Sequence, residues 1–270
     1  MTDLDTYIEQ FTGKTISVAV HDLETEESIY INADEPFHPA SVVKVPVMMA
    51  VFRQIENKTF APDERLPLIN SFTSIADGSP FSLDPKDDSE TTLYTRLGGT
   101  ETVRQLTRLM IVRSSNLATN ILIQALGTQQ INAFLLELGI QGVNVARGVE
   151  DNVAYYLGMN NSATARGLTQ IMKLIVEGKV VSKEASNEMI RILLGQEFNE
   201  SIPAQLSKRV KVAHKTGWTG NFHHDSGIVF PEQRKPYALT IMTRGFPKED
   251  ENEAHTCMAT ISKMIYDQIT

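Results

Sequence analysis

A chain of 270 residues, 41% apolar and 21% charged, has the composition of an ordinary globular protein long enough to bury a large core. Its net charge of −8 is spread without a basic patch, which argues against nucleic acid as a partner. Cys257 is the single cysteine, so neither an internal disulfide nor a cysteine-rich zinc site can form. Met1 to Gln10 carries Asp3, Asp5 and Glu9 and no long apolar run, unlike a signal peptide. As written the chain is expected in the cytoplasm, or outside it if an export segment once preceded Met1. The most apolar stretch, Val42 to Phe52, is interrupted by Lys44 and Pro46 and falls short of the roughly 20 residues of a membrane span.

In chain order, Thr15 to His21 and Ser28 to Ile31 alternate with period two around a charged turn and predict a hairpin. From Ser41 the period becomes helical, with amphipathic segments at Glu101–Val112, Leu117–Ala125, Gln129–Leu138, Thr164–Glu177 and Lys183–Leu194. Strands return at Val210–Lys215, Ser226–Phe230 and Tyr237–Thr243, before a last helix from Glu253 to Ile269. This order predicts an α/β fold in one domain over 1–270: an antiparallel sheet built from both chain termini and flanked by helices, with an inserted helical lobe. Segments 1–40 and 207–270 form the α/β lobe and 41–206 the mainly helical one. Irregular stretches at 60–94 and 145–163 are too long for plain connections.

Three short motifs carry chemistry. Ser41-Val-Val-Lys44 is the only Ser-x-x-Lys in the chain; on a helix start, a spacing of three puts the lysine amine on the serine's face. A desolvated, neutral lysine can take a serine proton, and a helix N-terminus offers backbone N–H groups to an oxyanion. Ser114-Ser115-Asn116 stands at the junction of two helices, where caps are also expected. Lys215-Thr216-Gly217 closes an apolar strand, its glycine permitting close approach and its lysine supplying charge.

Ser-x-x-Lys, Ser-x-Asn and Lys-Thr-Gly occur here in the chain order of the penicillin-recognising enzymes, and the chain resembles class A β-lactamases and related serine hydrolases over nearly its whole length. The resemblance implies a β-lactamase/transpeptidase-like fold, Ser41 as nucleophile, Lys44 as proton acceptor, Ser114 as proton shuttle and Asn116 as a ligand of the substrate amide. It further implies Lys215, Thr216, Gly217 and Trp218 as substrate-binding, with an oxyanion hole from the Ser41 and Trp218 amides. The implied activity is hydrolysis of the β-lactam amide through an acyl-enzyme. Alternatives are a D-Ala-D-Ala carboxypeptidase or esterase, and a penicillin-binding sensor acylated once. No metal or organic cofactor is expected; the partner is a small β-lactam or peptidoglycan-like molecule, the protein a monomer.

Two departures stand out. The family's loop with the deacylating glutamate runs Arg-x-Glu-x-x-Leu-Asn, whereas Arg147-Gly-Val-Glu150-Asp151-Asn152 has its glutamate one place later and no Leu-Asn. Glu150 is expected to activate water, in which case Asp151→Asn should be mild. The arginine that many members carry after Lys-Thr-Gly is absent, and His223 and His224 are expected as polar loop residues at the cleft rim, available to replace it. His214 is expected to face away from Lys215, and Asp77 to Pro80 to form a turn.

Overall fold

The computed structural model describes residues 3–270. Helix α1 (Asp3–Ile8) leads into strands β1 (Thr15–Asp22) and β2 (Ser28–Ile31), a hairpin with Val18 opposite Ile31. A 3-10 turn at Ala40–Val43 runs directly into α2 (Lys44–Glu56). The stretch after it holds β3 (Arg65–Pro67), β4 (Phe72–Thr73), β5 (Pro80–Phe81) and β6 (Thr100–Thr102), paired as β3–β6 and β4–β5. Then come α3 (Val103–Val112), α4 (Asn116–Leu126), α5 (Thr128–Glu137), β7 (Val143–Asn144), α6 (Asn152–Tyr156), β8 (Ser162–Ala163), α7 (Ala165–Val176) and α8 (Lys183–Leu193). Strands β9 (Lys211–Thr219), β10 (Phe222–Phe230) and β11 (Tyr237–Arg244) and helix α9 (Glu251–Ile269) complete the chain.

The main sheet has the order β2-β1-β11-β10-β9 and is antiparallel throughout. The two ends of the chain meet at β1 and β11, where Val18 faces Ile241 and Val20 faces Leu239. Both faces are covered, which period two makes visible. Ile16, Val18, Val20, Leu239 and Ile241 pack with Cys257, Met258 and Ile261 of α9, while Ala19, Ala238 and Met242 join the core of the helical lobe. Helix α7 covers the second face against β1, β10 and β11. The apolar run Val42 to Val51 is buried as the centre of that lobe, and no helix among the described residues is long and apolar enough to cross a membrane.

Two sequence expectations need correction at β9 and β10. Lys215-Thr216-Gly217 does not close its strand, because pairing continues through Trp218 opposite His223 to Thr219 opposite Phe222. The hairpin turns on Gly220 and Asn221 alone, with positive φ only at Gly220 (+56°), the pattern of a type II′ turn. In consequence His223 and His224 are strand residues, not loop residues, and both are buried. Asp77 to Pro80 does form a turn, between β4 and β5, with Asp77 Oδ1 accepting from the Ser79 amide at 2.9 Å.

Candidate active site

Ser41 lies within the 3-10 turn, one turn before the α-helical residues begin at Lys44. The turn is held in a strained backbone: Ala40 has φ +46°, a region that side chains with a Cβ rarely enter. Strand β9 packs against this turn, and the contact is made at Gly217. A Cβ at that position would stand 2.7 Å from the Ser41 amide nitrogen and 2.9 Å from that of Val42, so only glycine fits. Lys44, three residues on, is completely buried. Its Nζ donates to Ser114 O at 2.6 Å, Ser114 Oγ at 3.1 Å and Asn116 Oδ1 at 2.7 Å. Burial lowers its pKa to about 7, against the pull of the Asp88 and Glu150 carboxylates.

Ser114, Ser115 and Asn116 link α3 to α4 and divide their roles. Ser115 is the cap, its hydroxyl accepting from the Ala118 amide at 3.2 Å, which leaves the side chains on either side of it for the cleft. Ser114 has φ +56°, and its hydroxyl stands between two amines, 3.1 Å from Lys44 Nζ and 3.1 Å from Lys215 Nζ. Lys215 is also buried and donates to Thr216 O at 2.8 Å; desolvation first, then the Lys44 charge, hold its pKa well below the lysine range. The Thr216 hydroxyl is buried without a partner.

A carboxylate outside the three motifs fixes their geometry. Asp88 is buried at the N-terminus of α4, where its Oδ2 accepts from the Asn116 amide, the Leu117 amide and the Tyr94 hydroxyl, each at 2.9 Å. It comes from the irregular 60–94 stretch, and its sequence neighbourhood carries no motif that singles it out.

The 145–163 loop brings Glu150 to the same place. Asn120, one turn after Asn116 on α4, pairs with both the amide (2.7 Å) and the carbonyl (2.9 Å) of Val149. Glu150 follows with φ +60° and accepts from Asn116 Nδ2 at 2.6 Å. Asn116 thus spans Lys44 and Glu150 with its two amide atoms. Burial raises the Glu150 pKa to about 6, with Asp88 and Asp87 adding to the rise and the Asn116 hydrogen bond opposing it. Asp151 beside it is buried, caps α6 through the Ala154 amide, and accepts from Ser74 Oγ at 2.7 Å and the Ile75 amide at 3.0 Å. Arg147 closes the loop's neck by donating to Asn160 Oδ1 at 2.8 Å, beside Asn161, whose Oδ1 accepts from the Ala146 and Arg147 amides.

Ser41, Asn116, Glu150, Trp218 and His223 line one open cleft of about 590 Å³. Trp218 is 42% exposed and its ring meets Phe198 edge-on at 5.3 Å. His224 does not supply the missing cation. His224 Nε2 donates to His38 O at 2.9 Å and Nδ1 accepts from the Thr243 amide at 3.2 Å, so the ring is neutral, with burial lowering its pKa to about 4. Burial also lowers His223. His214 lies on the opposite face of β9 from Lys215 and bonds Asp225 at 2.9 Å.

The chain is similar to known proteins. The model of the beta-lactamase enzyme family matches residues 1–269. Among curated relatives, the carbapenem-hydrolyzing β-lactamase KPC of Klebsiella oxytoca is 24% identical over 262 residues, 95% of this chain and 85% of that protein. The β-lactamase ROB-1 of Haemophilus influenzae is 27% identical over 247 residues, 90% and 76%. Among solved structures, a β-lactamase from Chitinophaga pinensis superposes with a TM-score of 0.84 at 20% identity, covering 99% of this chain and 98% of that one. A mutant of PBP-A, described as an acyl-enzyme complex with penicillin G, gives 0.82 at 21%, covering 98% and 94%. These likenesses agree with the antiparallel sheet built from both termini and flanked by helices, and the chain belongs to the beta-lactamase enzyme family.

Proposed function

We propose that this protein hydrolyses β-lactams by acylating Ser41 and releasing the product with water activated by Glu150. The observation that carries the reading is the Lys44 amine, completely buried and poised at about pH 7. A neutral amine has two hydrogens, and Ser114 O and Asn116 Oδ1 accept both, leaving the lone pair for the Ser41 proton. The oxyanion that forms meets the Ser41 amide, drawn close by Gly217, and the Trp218 amide of the neighbouring residue on β9, the end strand of the sheet. Collapse needs a proton on the leaving nitrogen. Ser114 Oγ supplies it and is recharged from the Lys44 ammonium at 3.1 Å, while Lys215 on its other side disfavours a second positive charge nearby. A substrate carboxylate near Thr216 would draw Lys215 back to its charged form and pair with it.

For the water step, a glutamate with a pKa of about 6 is ionised at neutral pH yet basic enough to take a proton. Nitrocefin kinetics test the sequence of steps. The wild type should show steady turnover, and Glu150→Gln a stoichiometric burst followed by a rate lower by roughly 10²- to 10⁴-fold. A wild type that gives only the burst is a penicillin-binding protein that stays acylated.

A further inference from the structure

We propose that His223, Glu251 and His255 form a binding site for a divalent transition-metal ion of the zinc class, opening on the same cleft as Ser41. The three residues come from two rigid elements, His223 from β10 and the other two from the first turns of α9, four residues apart on one helix face. Their ligand atoms all lie within 4.8 Å of one another. Two imidazoles and one carboxylate are a donor set for catalytic zinc and for other divalent ions, with three protein ligands and at least one open position.

The buried member is already prepared. His223 is 3% exposed, and its Nε2 lies 3.1 Å from Phe246 O, a carbonyl that can only accept. That fixes the proton on Nε2 and leaves Nδ1 with a bare lone pair. Nδ1 is buried and has no hydrogen-bond partner, an arrangement a folded protein rarely tolerates unless something else occupies the position. A carbonyl behind the coordinating imidazole is the outer support that metal-bound histidines commonly have. The His255 ring stands 5.8 Å from that of His223, at 88° to it. Bond lengths near 2.0–2.1 Å would require the ligand atoms to approach to about 3.4 Å. Glu251 and His255 are only partly buried and can make that adjustment by rotation. His223 and Glu251 both line the Ser41 cleft, so an ion held here could offer its open position to an anionic group of a bound ligand. That consequence rests on the serine-hydrolase reading; the metal site does not.

The test is a titration of the chelator-dialysed full chain with Co²⁺, followed by its visible absorption, and with Zn²⁺ in competition with a chromophoric chelator. The wild type should bind one ion per chain, and a hundredfold excess over Kd should raise Tm by several degrees. His255→Ala and Glu251→Gln, two changes at partly exposed positions whose folding is checked by their metal-free Tm, should each weaken binding at least about 10- to 100-fold. No saturable binding, or binding of equal strength in both variants and the wild type, would overturn the site. Nitrocefin turnover does not enter this measurement, so its outcome is separate from that of the proposed reaction.

Discussion

The Cα of Gly217 sits against the amide nitrogen of Ser41, so close that a single added methyl would stand 2.7 Å from it. Strand β9 and the turn carrying Ser41 are therefore registered to each other by the absence of a side chain. Gly217→Ala should push the two apart while leaving both hydrophobic cores untouched. Displacing an oxyanion donor by a fraction of its length typically slows acylation by about 10²-fold or more. Stopped-flow acylation beside a thermal melt checks this; unchanged acylation would place the oxyanion elsewhere.

The two steps should carry different acid limbs. Lys44 must be neutral to accept the serine proton, so acylation should rise with pH through about 7 and fall tenfold per unit below it. Glu150 must be ionised to activate water, so deacylation should rise through about 6. Single-turnover measurements at each pH separate the two rates. Carboxylate binding should show no limb from His224 between about pH 5.5 and 8, since that ring is neutral above about 4.

Asn116 touches both groups, at 2.7 Å and 2.6 Å, and Asn116→Asp should disturb both. A carboxylate there favours the charged Lys44 and disfavours the charged Glu150, raising both pKa values by about 1–3 pH units. The expected result is slower acylation at pH 7 with partial recovery above pH 8. A uniform loss at every pH would assign Asn116 to substrate binding alone.

Asp151→Ala should weaken the fold of the loop without touching the chemistry directly. Its carboxylate caps α6 and ties the loop to Ser74 and Ile75, so its loss should lower stability by about 1–3 kcal/mol. Denaturant unfolding and limited proteolysis between 145 and 163 would register it. No change in either would mean that Arg147 and Asn161 hold the loop without help.

Much of this was legible in the sequence where chemistry and spacing coincide. Ser41 and Lys44 are three apart on one turn, and Lys215 is the last charged residue of an apolar strand. Strand periodicity also announced β1, β2 and β11, and so the sheet shared by both termini. The failures share a cause. Phe222 to Asp225 reads as loop because His, His and Asp are polar, yet sheet pairing and cover on both faces bury the three polar residues. The Gly220-Asn221 pair was itself a two-residue hairpin signal that would have extended both strands. Asp88, and the metal-ready meeting of His223 with Glu251 and His255, depend on contacts between distant segments that no local pattern encodes.

Every step of the proposed reaction depends on Ser41 as the covalent nucleophile, and intact-mass analysis with peptide mapping after exposure to a penicillin reads that directly. In Glu150→Gln, whose acyl-enzyme accumulates, one adduct per chain is expected on the peptide containing Ser41; the wild type, which deacylates, should show the same adduct at lower occupancy, and Ser41→Ala none. An adduct that persists in Ser41→Ala, or that maps to Ser114, would contradict it.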